Sequence, residues 1–181
     1  MTGWNADLYK RALDFSARAH GDQKVPGSGL PDVVHVTKVA MEALRACAED
    51  PTLNADVSLA CALLHDCIED ASVTEAQLVE NFGAEVATGV KALTKNAALP
   101  KAQRMADSLQ RLKAQPREVQ LVKLADRITN LEPPPPGWSL EKRQAYLAEA
   151  QVILNELGSA SQWLASRMSV KLSEYAPFCV A

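Results

Sequence analysis

Apolar residues recur every three or four positions along most of the chain, and this periodicity constrains the fold more than any other feature of the sequence. Leu8, Ala12, Phe15 and Ala19, for example, lie on one face of a helix. No run alternates β-branched and polar residues in the way that half-buried strands require. The 181 residues are enough to bury one hydrophobic core. The sequence therefore predicts an all-α fold, a helical bundle in a single compact domain.

Helix boundaries follow from the same pattern together with capping signals. The nearly wholly apolar segment 55–68 predicts a helix that is buried on most sides. Ser72 is the expected cap of a helix over 74–81, which Phe82-Gly83 ends. A Gly- and Pro-rich loop is expected at 21–31. The other helices are predicted at 8–19, 32–48, 84–93, 100–114, 116–131, 139–157 and 159–175.

The run Pro133-Pro134-Pro135-Pro136-Gly137 must be extended. It is interpreted as a stiff corner between two helices, and the alternative is a recognition segment for an aromatic groove. We expect residues 1–181 to form one domain, with its chemical motifs between 9 and 131 and its C-terminal helices, 139–175, after this corner.

Composition excludes several classes of protein. A chain that is 48% hydrophobic and 23% charged is not wholly disordered. With a net charge of −3, neither nucleic acid nor an acidic membrane surface is an expected partner. No apolar run reaches the ~18 residues of a membrane span, and the N-terminus lacks the features of a signal peptide. The four cysteines form no C-x-x-C pair, so free buried thiols and a cytoplasmic location are expected.

The histidines are scarce: His20, His35 and His65. His65 and Asp66 interrupt an apolar segment, where burying an unpaired polar group costs roughly 1–3 kcal/mol. A metal ion would compensate both groups, because imidazole and carboxylate are its ordinary ligands. Taken alone, however, the dipeptide is better explained by a core histidine that is hydrogen-bonded to its carboxylate partner.

Further acidic residues change this interpretation. Asp66, Glu69 and Asp70 share one helical face, and such stacking is unfavourable without a cation or a catalytic use. Asp126 and Asn130 interrupt a second apolar helix, although a salt bridge with Arg127 would also explain Asp126.

One divalent ion could be bound by two imidazoles and two carboxylates on three helices: His35, His65, Asp66 and Asp126. Mixed nitrogen and oxygen ligands with open positions suit manganese or iron, with zinc or magnesium as alternatives. Glu69 and Asp70 would accept the proton of a water molecule or orient it. The pattern favours a hydrolase for phosphate esters.

These motifs resemble the hydrolase half of the Rel/Spo alarmone enzymes, which are HD-domain proteins that remove the 3′-pyrophosphate from guanosine tetra- and pentaphosphate. The resemblance runs from about Tyr9 to Leu131 and is carried by His35, His65-Asp66-Cys67-Ile68-Glu69-Asp70 and Leu124-Ala125-Asp126-Arg127-Ile128-Thr129-Asn130. The remainder, through Trp138 to Met168, resembles the short stand-alone members. The resemblance implies an HD-domain helical bundle, and a small alarmone hydrolase that acts on guanosine 3′,5′-bis(diphosphate) and releases pyrophosphate, leaving GDP or GTP.

The resemblance also assigns roles to residues. It places manganese ligands at His35, His65, Asp66 and Asp126, and a catalytic acidic pair at Glu69 and Asp70. Asn130 matches a residue that contacts the ribose and phosphate side of the nucleotide, and Lys24 lies in a stretch that packs on the base and phosphates. Lys95, and Lys101 or Arg104, are weaker candidates for phosphate contact. His20 matches a family position, with a purely structural histidine as the equal alternative.

Departures from the family leave the base preference open. The family usually has a second basic residue at Val25, Pro-Tyr at Pro31-Asp32 and His-Pro at His35-Val36. The alternatives are an HD phosphohydrolase for another nucleotide (ppApp, a dinucleotide 2′-phosphate such as that of NADPH, or a nucleoside phosphate), a non-catalytic nucleotide or metal sensor, and a helical scaffold.

Overall fold

A computed structural model describes residues 3–180 of the chain. Within that range the structure is helical and contains no strand, only an isolated bridge between Lys24 and Pro31. The all-α prediction is confirmed. Short 3₁₀ turns lie at Gly158–Ala160 and Ala176–Cys179, and the α-helices are α1 (Ala6–His20), α2 (Val33–Glu49), α3 (Ala55–Leu64), α4 (Cys67–Asp70), α5 (Glu75–Leu93), α6 (Lys101–Lys113), α7 (Arg117–Asn130), α8 (Leu140–Leu157) and α9 (Gln162–Tyr175).

Most helix ends lie within two residues of their predicted positions, but one predicted cap is wrong. Thr74 caps α5, since its hydroxyl accepts from the Gln77 amide and the Gln77 side chain accepts in return from the Thr74 amide. Ser72 is not this cap, because it lies two residues before Thr74 and has a left-handed backbone conformation with φ of 55°. Gly83, with φ of 84°, interrupts the helical geometry of α5 where the sequence predicted a helix end.

The helix predicted over 55–68 is also interrupted. α3 ends at Leu64, Asp66 has φ −96° and ψ −3°, and α4 begins at Cys67. The Nδ1 atom of His65 donates to the carbonyl oxygen of Ala62 at 2.8 Å. In a continuing helix that oxygen would receive the amide of Asp66. The His65 side chain therefore competes with the helical hydrogen bond at this point.

α3 lies at the centre of the core. All its residues from Val57 to Leu64 are buried, and it packs against α1, α2, α5 and α7. Each fully buried leucine contributes roughly 1.5–3 kcal/mol, so the end of α3 is firmly positioned. The C-terminal helices α8 and α9 pack on α7 and on each other.

The described helices and the cysteines bear on two further expectations. Across residues 3–180, no helix combines the length and the apolarity that a membrane crossing requires. Cys47, Cys61, Cys67 and Cys179 are free and buried, as the sequence predicts.

Gly89 permits the close approach of α5 to its neighbours. A Cβ atom at this position would lie 2.8 Å from Sγ of Cys61 and 2.9 Å from Cγ2 of Val119. We expect Gly89→Ala to lower the free energy of unfolding by roughly 1–3 kcal/mol, because overpacking outweighs the better helix propensity of alanine.

Thr88→Ala, at the exposed neighbouring position, is the matched control and should change the stability little. Chemical denaturation measures both variants. A Gly89→Ala protein as stable as the parent would contradict this packing.

Candidate metal centre

Four side chains converge where α2, α7 and the turn after α3 meet. Nε2 of His35, in the first turn of α2, lies 3.3 Å from Oδ1 of Asp126 and 3.7 Å from Oδ2 of Asp66. Nε2 of His65 lies 2.9 Å from Oδ2 of Asp66 and 3.8 Å from Oδ1 of Asp126. Both histidines and Asp126 are buried, and Asp66 is partly exposed. The structure thus brings together the two imidazoles and two carboxylates that the sequence singled out.

The arrangement fits a single divalent cation. Ligand atoms about 2.1 Å from a common ion lie roughly 3.0–3.5 Å from one another, close to the separations in this cluster. Because a carbonyl oxygen can only accept, the bond to Ala62 places a proton on Nδ1 of His65, so Nε2 is the ring nitrogen that could bind a cation. That Nε2 atom is buried and, although it lies 2.9 Å from Oδ2 of Asp66, it forms no well-aligned hydrogen bond within residues 3–180. A metal ion between the ring and the carboxylate would satisfy both groups.

The electrostatics of the cluster also indicate a missing positive charge. Burial alone lowers the pKa of His65, but the charges of Asp66 and Asp126 outweigh this effect and raise that pKa to about 9. Burial favours the neutral form of Asp126, yet the Lys123 ammonium and the neighbouring histidines hold its pKa well below the ordinary value. The carboxylates therefore stay charged and attract a cation.

Two neighbours orient Asp126. Nζ of Lys123 donates to its Oδ2 at 3.0 Å, and Nδ2 of Asn130 donates to its Oδ1 at 2.6 Å. Lys123 is itself buried, so this is an ion pair inside the protein. The salt bridge between Asp126 and Arg127 that the sequence allowed is replaced by a pair between Arg127 and Glu149. Asp126 is thus held by Lys123 on one oxygen and turns the other toward the histidines.

The acidic pair lies on α4, one turn beyond Asp66. Both oxygens of Glu69 accept from Lys95, from its amide at 2.9 Å and from its Nζ at 2.8 Å, so this carboxylate is fixed. Asp70 is exposed at the end of α4, and partial desolvation together with the charges of Asp66 and Glu69 raises its pKa. A carboxyl group with a raised pKa is suited to accept and release a proton near neutral pH.

His20 lies behind the acidic pair. Its Nδ1 atom is 2.9 Å from Oε1 of Gln23 and 3.3 Å from Oδ2 of Asp32, and its ring is buried. Nε2 of Gln23 donates in turn to the backbone oxygen of Asp70 at 2.7 Å. His20 therefore has satisfied structural contacts that connect the loop over 21–31 to the end of α4.

A cavity of about 660 Å³ opens beside the cluster. His35 and Asn130 are among its lining residues, as are aromatic side chains from the C-terminal part of the chain. Gly27 packs closely on Pro135, since a Cβ atom on Gly27 would lie 3.2 Å from Cβ and Cγ of that proline. The proline run joins α7 and α8, and it also forms a wall of the cavity. Most of the remaining lining is apolar or aromatic: Val25, Pro26, Leu30, Val34, Pro133, Pro134, Pro135, Pro136, Trp138, Tyr146 and Tyr175.

The predicted phosphate-binding residues differ in their surroundings. Lys24 is exposed on the loop whose neighbours Val25 and Pro26 line the cavity. Lys95 is paired with Glu69. Arg104 donates from Nε to the oxygen of Leu99 and from Nη2 to that of Ala97, both at 2.9 Å, and so holds the loop before α6. Lys101 lies exposed at the start of the same helix.

Sequence reasoning missed several residues near the site. Lys123 gave a usable signal, because a single charge in the apolar run 121–125 requires a partner. Tyr146 stacks beneath the guanidinium of Arg127, 4.2 Å from ring centre to Cζ, and reaches the cavity from α8. Nothing local marks Tyr146 or Gln23 for these contacts.

Comparisons with known proteins give matches over most of the chain. The family described as HD domain matches residues 12–160. The human and mouse proteins named guanosine-3′,5′-bis(diphosphate) 3′-pyrophosphohydrolase MESH1 are 32% and 31% identical to this chain, each over 90% of it and 91% of their own length. A solved structure, described as a metazoan ortholog of SpoT that hydrolyses ppGpp, has a TM-score of 0.78 with 24% identity and covers 96% of each chain.

The buried pair between Lys123 and Asp126 provides a test of this centre. We expect Lys123→Met to lower the free energy of unfolding of the chelator-treated protein by roughly 3 kcal/mol or more, because Asp126 then keeps its buried charge without the ammonium. Lys113→Met is the matched control, since its pair with Glu156 is exposed and should cost at most about 1 kcal/mol. Equal, small losses in the two variants would show that the Lys123 pair is not buried as described.

Proposed function

Because this chain belongs to the HD-domain family, among the guanosine-3′,5′-bis(diphosphate) 3′-pyrophosphohydrolases, we propose that it hydrolyses guanosine 3′,5′-bis(diphosphate) to GDP and pyrophosphate, and the pentaphosphate to GTP and pyrophosphate. The observation that carries this conclusion is the convergence of two imidazoles and two carboxylates beside an acidic pair and a nucleotide-sized cavity. The substrate is a small nucleotide.

A divalent cation is the expected cofactor, held by His35, His65, Asp66 and Asp126. The buried, unpartnered Nε2 of His65 and the mixed donor set support this assignment. Manganese suits two nitrogen and two oxygen ligands with positions left open. When bound, such an ion polarises a phosphoryl oxygen and lowers the pKa of water.

The acidic pair is proposed to manage the proton in hydrolysis. The oxygen of water forms a bond to the phosphorus that is attached to the 3′ oxygen. The bond between that phosphorus and the 3′ oxygen then breaks, and the 3′ oxygen takes up a proton. Asp70, with its raised pKa, is suited to take the proton from water and to return it. Glu69 is immobilised by Lys95 and is suited to orient the water molecule.

The cavity is proposed to receive the nucleoside. Proline and aromatic surfaces pack well on a purine, and Tyr146 is held in the wall by its stacking on Arg127. The amide of Asn130, fixed by its bond to Asp126, is placed to contact the ribose or a phosphate. Lys24 is proposed to approach the phosphates from the loop, with Lys95 as a second cation near the reacting group.

The domain organisation and the cellular location of the protein are likewise proposed. We propose that residues 1–181 form one hydrolase domain, because α8 and α9 pack on α7 and supply part of the cavity wall. The four free, buried thiols support the cytoplasm as the location.

The first test is direct. Purified protein loaded with Mn²⁺ should release pyrophosphate and GDP from guanosine 3′,5′-bis(diphosphate), measured by anion-exchange chromatography. The adenosine analogue, a dinucleotide 2′-phosphate and a nucleoside monophosphate form the comparison panel, because Val25 stands where the related enzymes usually carry a second basic residue. Release from another member of the panel and none from the guanosine compound would overturn the proposed substrate.

Two aspartate variants separate cation binding from proton transfer. Asp66→Ala should abolish binding of Mn²⁺, because it removes one of four ligands. Asp70→Asn should retain the ion and lose roughly 100-fold or more in kcat, because an amide cannot accept the proton. Elemental analysis and calorimetric titration with Mn²⁺ report the first effect, and steady-state kinetics the second. Full turnover in Asp70→Asn would refute the role given to the acidic pair.

A further inference from the structure

We propose that Lys38 binds the 5′-phosphate end of the nucleotide while the 3′ end lies at the cation site, an inference that rests on the proposed function. Lys38 lies on α2, one helical turn after His35, and both residues line the same cavity. Residues three apart are neighbours on one face of a helix. A ligand that extends to His35 can therefore also contact the ammonium group of Lys38.

The carboxylates near Lys38 form ion pairs with other basic residues. Glu42, one turn further along α2, accepts from Nε of Arg167 on both oxygens, each at 2.7 Å. Glu132, which also lines the cavity, pairs with Lys171 at 3.4 Å. Among residues 3–180, no carboxylate lies within 4.0 Å of the Lys38 ammonium. Its charge is thus available to an anion.

Lys38 is also the only lysine or arginine among the described residues that line this cavity. Two of the cations nearby have other partners, since Lys95 is paired with Glu69 and Arg104 with backbone oxygens. A nucleotide that carries phosphates at both ends needs positive charge at both, because a polyphosphate removed from water without compensation is costly. The cation site serves one end, and Lys38 is placed to serve the other.

Distance along the helix is consistent with two separate anchors. His35 and Lys38 are about 4.5 Å apart along the axis of α2, and a lysine side chain extends the reach further. The 3′ and 5′ oxygens of one ribose are separated by a comparable length, so a single nucleotide is able to contact both anchors. The residue would then distinguish substrates by their 5′ end without contacting the reacting phosphorus.

The experiment compares three guanosine 3′-diphosphates that carry a diphosphate, a triphosphate or a free hydroxyl at the 5′ position. Lys38→Met should raise KM about tenfold for the two phosphorylated substrates, as expected for the loss of one charge-assisted contact, and leave kcat within about twofold. KM for the 5′-hydroxyl compound should not change. Lys38→Arg should restore most of the affinity.

Lys10→Met is the matched control, because Lys10 is exposed at the start of α1 and its loss changes the net charge equally. A thermal melt verifies that each variant is folded. An equal rise of KM for all three substrates, or the same effect from Lys10→Met, would overturn the assignment of Lys38 to the 5′ end.

Equilibrium binding separates this inference from the proposed function. Calorimetry should show that the parent protein binds GDP more tightly than guanosine, and that Lys38→Met removes about tenfold of this difference. If the protein hydrolyses none of the substrates but Lys38→Met still weakens GDP selectively, the hydrolase assignment fails and the Lys38 site stands. Equal binding of GDP by parent and variant would refute the Lys38 site whatever the activity.

Discussion

The packing of two carboxylates against two buried imidazoles is the interaction on which the rest of the site depends. Lys123 supplies one positive charge for Asp66 and Asp126, so the cluster has one negative charge in excess when both histidines are neutral, the form in which imidazole binds a cation. A divalent cation reverses that sign and leaves a local positive charge, although the chain as a whole carries −3. The same group that satisfies the buried oxygens would thereby make the site attractive to a polyphosphate.

The interruption between α3 and α4 separates a buried helix, which ends beside His65 and Asp66, from a short exposed helix that carries the acidic pair. The end of α3 is fixed by burial on every side, and the bond from His65 to Ala62 turns the ring so that Nε2 faces Asp66 and Asp126. After the interruption, α4 carries Glu69 and Asp70, which are exposed; Lys95 donates to the carboxylate of Glu69 and Gln23 to the backbone oxygen of Asp70. The buried histidine at the end of α3 and the exposed acidic pair on α4 are thus only a few residues apart in the sequence.

Much of this arrangement could be predicted from the sequence, because it has local causes. Apolar periodicity gave the helices, and polar residues inside apolar segments identified His65, Asp66 and Asp126. The interruption at His65-Asp66 could not be predicted, since it depends on a side chain competing for one backbone oxygen. Contacts between distant parts of the chain could not be predicted from the sequence either. Lys38 has the pattern of an ordinary surface lysine until Arg167 and Lys171 are seen to occupy the carboxylates near it.

The C-terminal helices supply part of the cavity wall beside the His- and Asp-containing motifs of the first 131 residues. Tyr146 and Tyr175 reach the cavity from α8 and α9, and the proline run holds the loop over 21–31 through its contact with Gly27. Val25 makes that loop apolar where related enzymes usually carry a cation. The proposed nucleoside cavity is accordingly lined mainly by apolar and aromatic side chains rather than by cations. In the proposed binding mode, positive charge would instead act on the phosphates, through the cation at one end of the nucleotide and Lys38 at the other.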